Sequence, residues 1–124
     1  MNFLMCCTIS FLILSIIACT TQQVSYQLDI EPILSNKCIK CHTPPNGIGY
    51  KKTGLMMISY ESLMKGTAYG PVIVPGDSQT SIINMMAEGR IDNLRKIMHT
   101  EEKTLNNEEI MLLNLWVNQG ALHN

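Results

Sequence analysis

Apolar residues fall in separate blocks along the chain, and the polar residues between them mark where elements should begin and end. The first block, Phe3 to Ala18, is interrupted only by residues such as Thr8, Ser10 and Ser15. It is marginally short for a membrane span, which needs about 20 residues, and its length suits the apolar core of a secretory signal. A polar stretch, Thr20 to Tyr26, follows. From near Asp29 to about Lys37 the pattern predicts a helix, with Pro32 in the first turn, where a missing N–H costs little. Residues 43–54 contain Pro44, Pro45, Gly47, Gly49 and Gly54 and predict a loop. After the apolar run Leu55 to Ile58, Ser59 and Gly66 delimit a short helix as N-cap and stop. Gly70 to Gly76 reads as an extended apolar piece closed by a Pro-Gly turn. Asp77 or Ser78 then caps a helix to about Glu88, stopped by Gly89, with an apolar face of Ile82, Ile83, Met85 and Met86. The strongest element follows Asn106 or Asn107. Glu108 and Glu109 lie in its first turn, Ile110, Leu112, Leu113, Leu115, Trp116 and Val117 are its apolar positions, and Gly120 is its stop. No internal repeat is visible.

A chain of 124 residues suits one domain. With 6% aromatic residues it should bury only a thin core of its own, which leaves a place for a cofactor inside. The net charge of −1 supplies no basic field to recruit nucleic acid. Ile16-Ile17-Ala18-Cys19 resembles the lipobox of bacterial lipoproteins. That resemblance implies a signal peptide over 1–18 and acylation of Cys19, with an uncleaved N-terminal anchor as the alternative; the polar stretch then reads as a tether over 19–26 and the rest as a folded domain over 27–124. It also implies a lipid-anchored, periplasm-facing place in the bacterial cell envelope, on the inner or outer membrane.

Of five cysteines, Cys6 and Cys7 go with the signal and Cys19 takes the lipid, which leaves Cys38 and Cys41. In an exported chain two thiols can form a disulfide, but the run is Cys38-Ile39-Lys40-Cys41-His42, the C-x-x-C-H pattern of covalent haem attachment. Cysteines three apart share a face of a helical turn and can both reach the haem vinyl groups, while His42 turns its imidazole to the iron. Chance occurrence at this composition is about one in two hundred. Zinc would need four ligands, with only His99 and His123 to add to these three. A thioredoxin-type pair expects a βαβ context that the pattern does not offer. In the loop after His42, the carbonyl of Pro44 or Pro45 is the simplest acceptor for the ring N–H.

The order of elements around these residues resembles the class I cytochrome c fold. The closer resemblance is to the small haem domains called Planctomycete-type cytochrome c domains. Its pieces are Asp29 to Leu34, the Cys38–His42 run, Gly54-Leu55-Met56, Val74-Pro75-Gly76-Asp77 with Ser81, a following Met, and Leu115-Trp116-Val117-Asn118-Gln119-Gly120-Ala121. The likeness spans Ser25 to Leu122. It implies an all-α domain wrapped around one covalent haem c, with the first and last helices crossing, and an electron carrier rather than an enzyme.

His42 is then the proximal ligand. Met98, 56 residues later, stands where the distal Met of class I cytochromes falls, and His99 beside it is the alternative. Where the family has Met-Pro, this chain has Met98-His99. An open sixth position would instead make a haem enzyme or gas sensor. Met56, Met57, Met64, Met85, Met86 and Met111 are expected to pack the pocket or the core. His123, close to the chain end, is expected to be solvated. Lys37, Lys40, Lys51 and Lys52 surround the attachment run, with no acidic residue between Glu31 and Glu61, whereas Glu101, Glu102, Glu108 and Glu109 lie far along the chain. The expected partners are a redox donor and acceptor, and this collar favours an acidic one.

Overall fold

The computed structural model describes residues 22–91 and 104–124. The candidate signal, Cys19, Met98 and His99 therefore lie outside the described residues. Five α-helices and no strand occur among the described residues, so the fold is all-α as expected. None of these helices is long and apolar enough to cross a membrane.

The first element starts earlier than expected. Ser25 caps a π-helical turn, Tyr26–Ile30, by accepting the Leu28 N–H, and the turn runs directly into α1, Glu31–Lys37. Val24 and Tyr26 are buried, so the last three residues of the expected tether belong to the fold.

Residues 43–54 differ more. The stretch expected to be a loop contains helix α2, Ile48–Thr53. Gly54 ends it in the left-handed conformation (φ 75°), which glycine reaches without a Cβ penalty. Helix α3, Tyr60–Lys65, lies between Ser59 and Gly66 as expected, with reciprocal Ser59–Ser62 hydrogen bonds at its start. Helix α4, Ile82–Ala87, begins three or four residues late, with Ser81 and not Asp77 or Ser78 at the N-cap. The Asp77 carboxylate is already engaged by the N–H groups of Gln79 and Thr80. Hydrogen bonds from Thr80, led by its hydroxyl, hold that carboxyl below its ordinary pKa. Helix α5, Asn107–Asn118, has a capping box of Asn106 and Glu109.

Three contacts close the molecule. The π turn packs on α5, where Tyr26 and fully buried Trp116 lie with ring centroids 5.6 Å apart. The first and last elements therefore meet, as the resemblance implied. Helix α4 packs on α5 through a polar chain: Asn84 Nδ2 donates to Asn114 Oδ1 (2.8 Å), and Asn114 Nδ2 donates to Glu88 Oε1 (2.7 Å). The Pro-Gly turn docks on the end of α5, with the Gly76 N–H on the Val117 carbonyl (2.7 Å) and the Ser78 N–H on Asn118 Oδ1 (2.9 Å). Two weak sequence pieces, Val74–Asp77 and Leu115–Ala121, are thus the two sides of one contact.

The chain end is not loose. The Asn124 carbonyl accepts from Gln27 N–H and Ser25 Oγ, and the Asn124 side chain bonds Tyr26 N–H and the Val24 carbonyl. His123, expected to be solvated, stacks on Tyr60 (centroids 4.3 Å, planes 7° apart) and meets Tyr26 edge-on. Its Nδ1 is 3.5 Å from Glu61. Flat rings gain contact area by stacking in this way, even when half-exposed. The Glu61 carboxyl is held below its ordinary pKa by its own backbone N–H, then by Ser59, with His123 adding to the effect.

Candidate functional site

Cys38 caps the C-terminal end of α1, and the chain turns so that the His42 N–H donates to the Cys38 and Ile39 carbonyls (3.0 Å each). The attachment run is therefore one compact turn, as the spacing requires. Cys38 and Cys41 are both half-buried thiols with no disulfide between them, so the disulfide alternative finds no support in the geometry.

His42 is buried, and its Nδ1–H donates to the Leu55 carbonyl at 3.2 Å. The acceptor is thus not Pro44 or Pro45. The chain returns past the ring 13 residues later, and the Met57 N–H donates to the His42 carbonyl (3.1 Å), which pins that return. A proton fixed on Nδ1 makes Nε2 the nitrogen that carries the lone pair, the form a metal-ligating histidine needs.

Gly49 has a role that sequence reading missed. A Cβ placed on it would lie 2.6 Å from both Cε1 and Nε2 of His42 and 2.9 Å from Nδ1. These near-equal distances put the face of the imidazole against the backbone of α2. The only sequence signal was a second glycine two residues after Gly47, read as a helix breaker. Its reason is the ring beneath it.

Beside His42 lies a cavity of about 360 Å³. Cys38 and His42 line it, while Cys41 is not among its walls. Ile30, Ile33 and Leu34 come from the first helical segment, Leu55 and Met57 from the run expected to face a macrocycle, and Ile82, Ile83, Met86 and Ala87 from α4. Not every expected packing residue takes part. Ile58 and Met111 are about half exposed, so Met111 is neither pocket nor core. Among the described residues no group of three or more His, Cys, Asp or Glu side chains is placed to hold a bare metal ion. A large apolar hollow walled by one oriented imidazole and one thiol fits a flat apolar cofactor that brings its own metal, and fits zinc poorly.

The expected basic collar is smaller than the sequence suggests. Lys37 Nζ lies 4.0 Å from Glu109 Oε2 and reaches the Thr104 carbonyl, so the acidic start of α5 is not remote from the attachment run. Lys40, Lys51 and Lys52 are exposed and take part in no ion pair among the described residues.

No curated protein and no solved structure matches the chain. The family model described as Planctomycete cytochrome C matches residues 38–95, which run from the first attachment cysteine past α4. The matched segment holds the oriented histidine and the paired cysteines, and it supports a cytochrome c-type domain in this chain, similar to the Planctomycete cytochrome C family.

Proposed function

We propose that the chain is a monohaem electron carrier, with haem c bound through Cys38 and Cys41 and its iron ligated by His42. The observation that carries this reading is the His42 imidazole, buried at the wall of the apolar cavity with its Nδ1–H on the Leu55 carbonyl. When bound, the haem supplies one-electron chemistry at its iron. The chain's residues do the rest. Leu55 fixes the tautomer, Gly49 admits and orients the ring, and the apolar side chains of α1 and α4 that line the cavity would keep water from a bound haem. A dry surround and a fixed ligand reduce reorganisation when a single electron arrives or leaves.

On the distal side the proposed ligand is Met98, with His99 as its rival. A thioether favours ferrous iron and would raise the potential, whereas a second imidazole would lower it. Acylation at Cys19 would hold the domain on a membrane in the exported compartment where such haems are attached.

The first test is a covalent haem stain on a denaturing gel after expression with a haem-maturation system. A colourless yet folded product refutes the reading. Spectra of Met98→Ala and His99→Ala then assign the distal ligand. The expected result is loss of the low-spin signature only in Met98→Ala, with rapid carbon monoxide binding to its reduced form. Rapid binding to the unaltered reduced protein would instead identify an open site and a gas-binding or catalytic role. Cys19→Ser should release the protein from the membrane fraction.

A further inference from the structure

Helix α2 has two faces of opposite character. Its inner face is Gly49, whose backbone lies on the His42 ring. Its outer face carries Ile48, Lys51 and Lys52, spaced three and four apart so that they stand together. Ile48 is 58% exposed and both lysines are exposed. The Tyr50 N–H donates to the Cys41 carbonyl (3.0 Å), which brings α2 against the attachment turn and its exposed Lys40. No Asp or Glu occurs between Glu31 and Glu61 to neutralise this surface, and no ion pair among the described residues uses these three lysines. An exposed isoleucine ringed by uncompensated lysines has the make-up of a docking patch, with an apolar centre and a charged rim.

We propose that the outer face of α2 docks an acidic, apolar-centred redox protein, and that the electron crosses there through one helix backbone to the His42 ring. The proposal rests on the electron-carrier reading above and gives it a partner class and an entry point. An α-helix with its side chains is about 10 Å across, so a partner seated on Ile48 stands one helix from the imidazole. Lysines on that face steer an acidic partner to the helix that covers the His42 ring.

The test uses the holoprotein. Lys51→Gln/Lys52→Gln is compared with Gln27→Glu/Gln79→Glu, a variant of equal net charge altered at exposed positions elsewhere. The reduced forms are oxidised by hexacyanoferrate(III), which takes one electron from ferrous haem and becomes hexacyanoferrate(II), at low and at high salt. The expected result is that the α2 variant is slowed about fivefold at low salt and loses most of its salt dependence, while the control stays near the native rate. Equal slowing of both variants, or of neither, overturns the proposal. In a second arm, poly-glutamate mimics an acidic protein surface and amide shifts are read by NMR. Shifts centred on Lys40, Ile48, Lys51 and Lys52 support docking, and shifts centred elsewhere refute it. In a third arm, phosphatidylglycerol vesicles that bind through the same lysines while poly-glutamate does not would make this a membrane face and overturn the protein partner. Failure of the haem reading is separable, because it shows as absence of covalent stain whatever the poly-glutamate result.

Discussion

The two ends of the core are built on opposite plans. Around His42 the walls are apolar and enclose a hollow of about 360 Å³. Around Trp116 the space is filled by protein: Tyr26, Tyr60 and His123 lie ring against ring, Trp116 Nε1–H donates to the Leu122 carbonyl, and Tyr60 OH donates to the Ala121 carbonyl. Protein interiors tolerate few voids, because unfilled space forfeits contacts. The filled end can therefore hold itself together, while at the hollow end the proposed haem would supply the missing contacts as a guest. Three of the seven aromatic residues of the chain, Tyr26, Tyr60 and Trp116, stand together at this filled end, whereas Tyr69 lines the cavity.

The largest effect expected of this contrast comes from removing the guest. In Cys38→Ser/Cys41→Ser, covalent haem should be lost completely. Hydrogen exchange should then quicken in α2 and α4 while the amides of α5 and the π turn remain protected, and uniform loss of protection would erase the distinction between the ends. Trp116→Ala attacks the other end. Deleting a fully buried indole should cost about 3–5 kcal/mol in denaturant unfolding of the holoprotein. A cost below 1 kcal/mol, an order-of-magnitude floor for core aromatics, would mean that the filled end is not the mainstay.

Gly49→Ala is expected to act at the hollow end only. The added methyl must displace the His42 ring, so destabilisation of about 1–3 kcal/mol should come with a shifted haem spectrum and reduction potential. Lost stability with an unchanged spectrum would reduce Gly49 to a packing residue. The smallest effect concerns pH. The Tyr26 hydroxyl is pushed up to about 12, by burial first and then by Glu31 and Glu61. Between its ordinary value near 10 and 12, the unfolded chain releases this proton and the folded one keeps it. Stability should be intact below pH 10 and fall as pH rises to 12. In Tyr26→Phe that decline should flatten.

The same contrast separates what the sequence makes legible from what it does not. The bounds of α3 and α5 are readable because their caps are local: Ser59 with Ser62, and Asn106 with Glu109, bond within three residues. The Cys38–His42 run is readable for the same reason, since its chemistry lies in five consecutive residues. Helix α2 is not, because glycine at 49 signals a break in any local reading and is explained only by a ring seven positions earlier. Nor is the acceptor for His42. Pro44 and Pro45 are nearer in sequence, but the returning chain puts Leu55 beside the ring. At α4 two good capping residues competed, and the neighbours of Asp77 had already engaged its carboxylate. His123 is exposed, as expected, but its stacking on Tyr60 and edge contact with Tyr26 were not legible, because those partners lie more than sixty residues away.

The fastening of the first described residues to the last ones also decides how the molecule bears load. Gln119 holds the Val24 N–H through Oε1 and the Gln22 carbonyl through Nε2, while Asn124 grips Val24 and Tyr26. Tension applied to the chain ahead of Gln22 therefore passes first into the segment after α5, bypassing α1 and the attachment turn. Thermal jostling there would be absorbed by a handful of side-chain amides before any of it strained the Cys38–His42 turn.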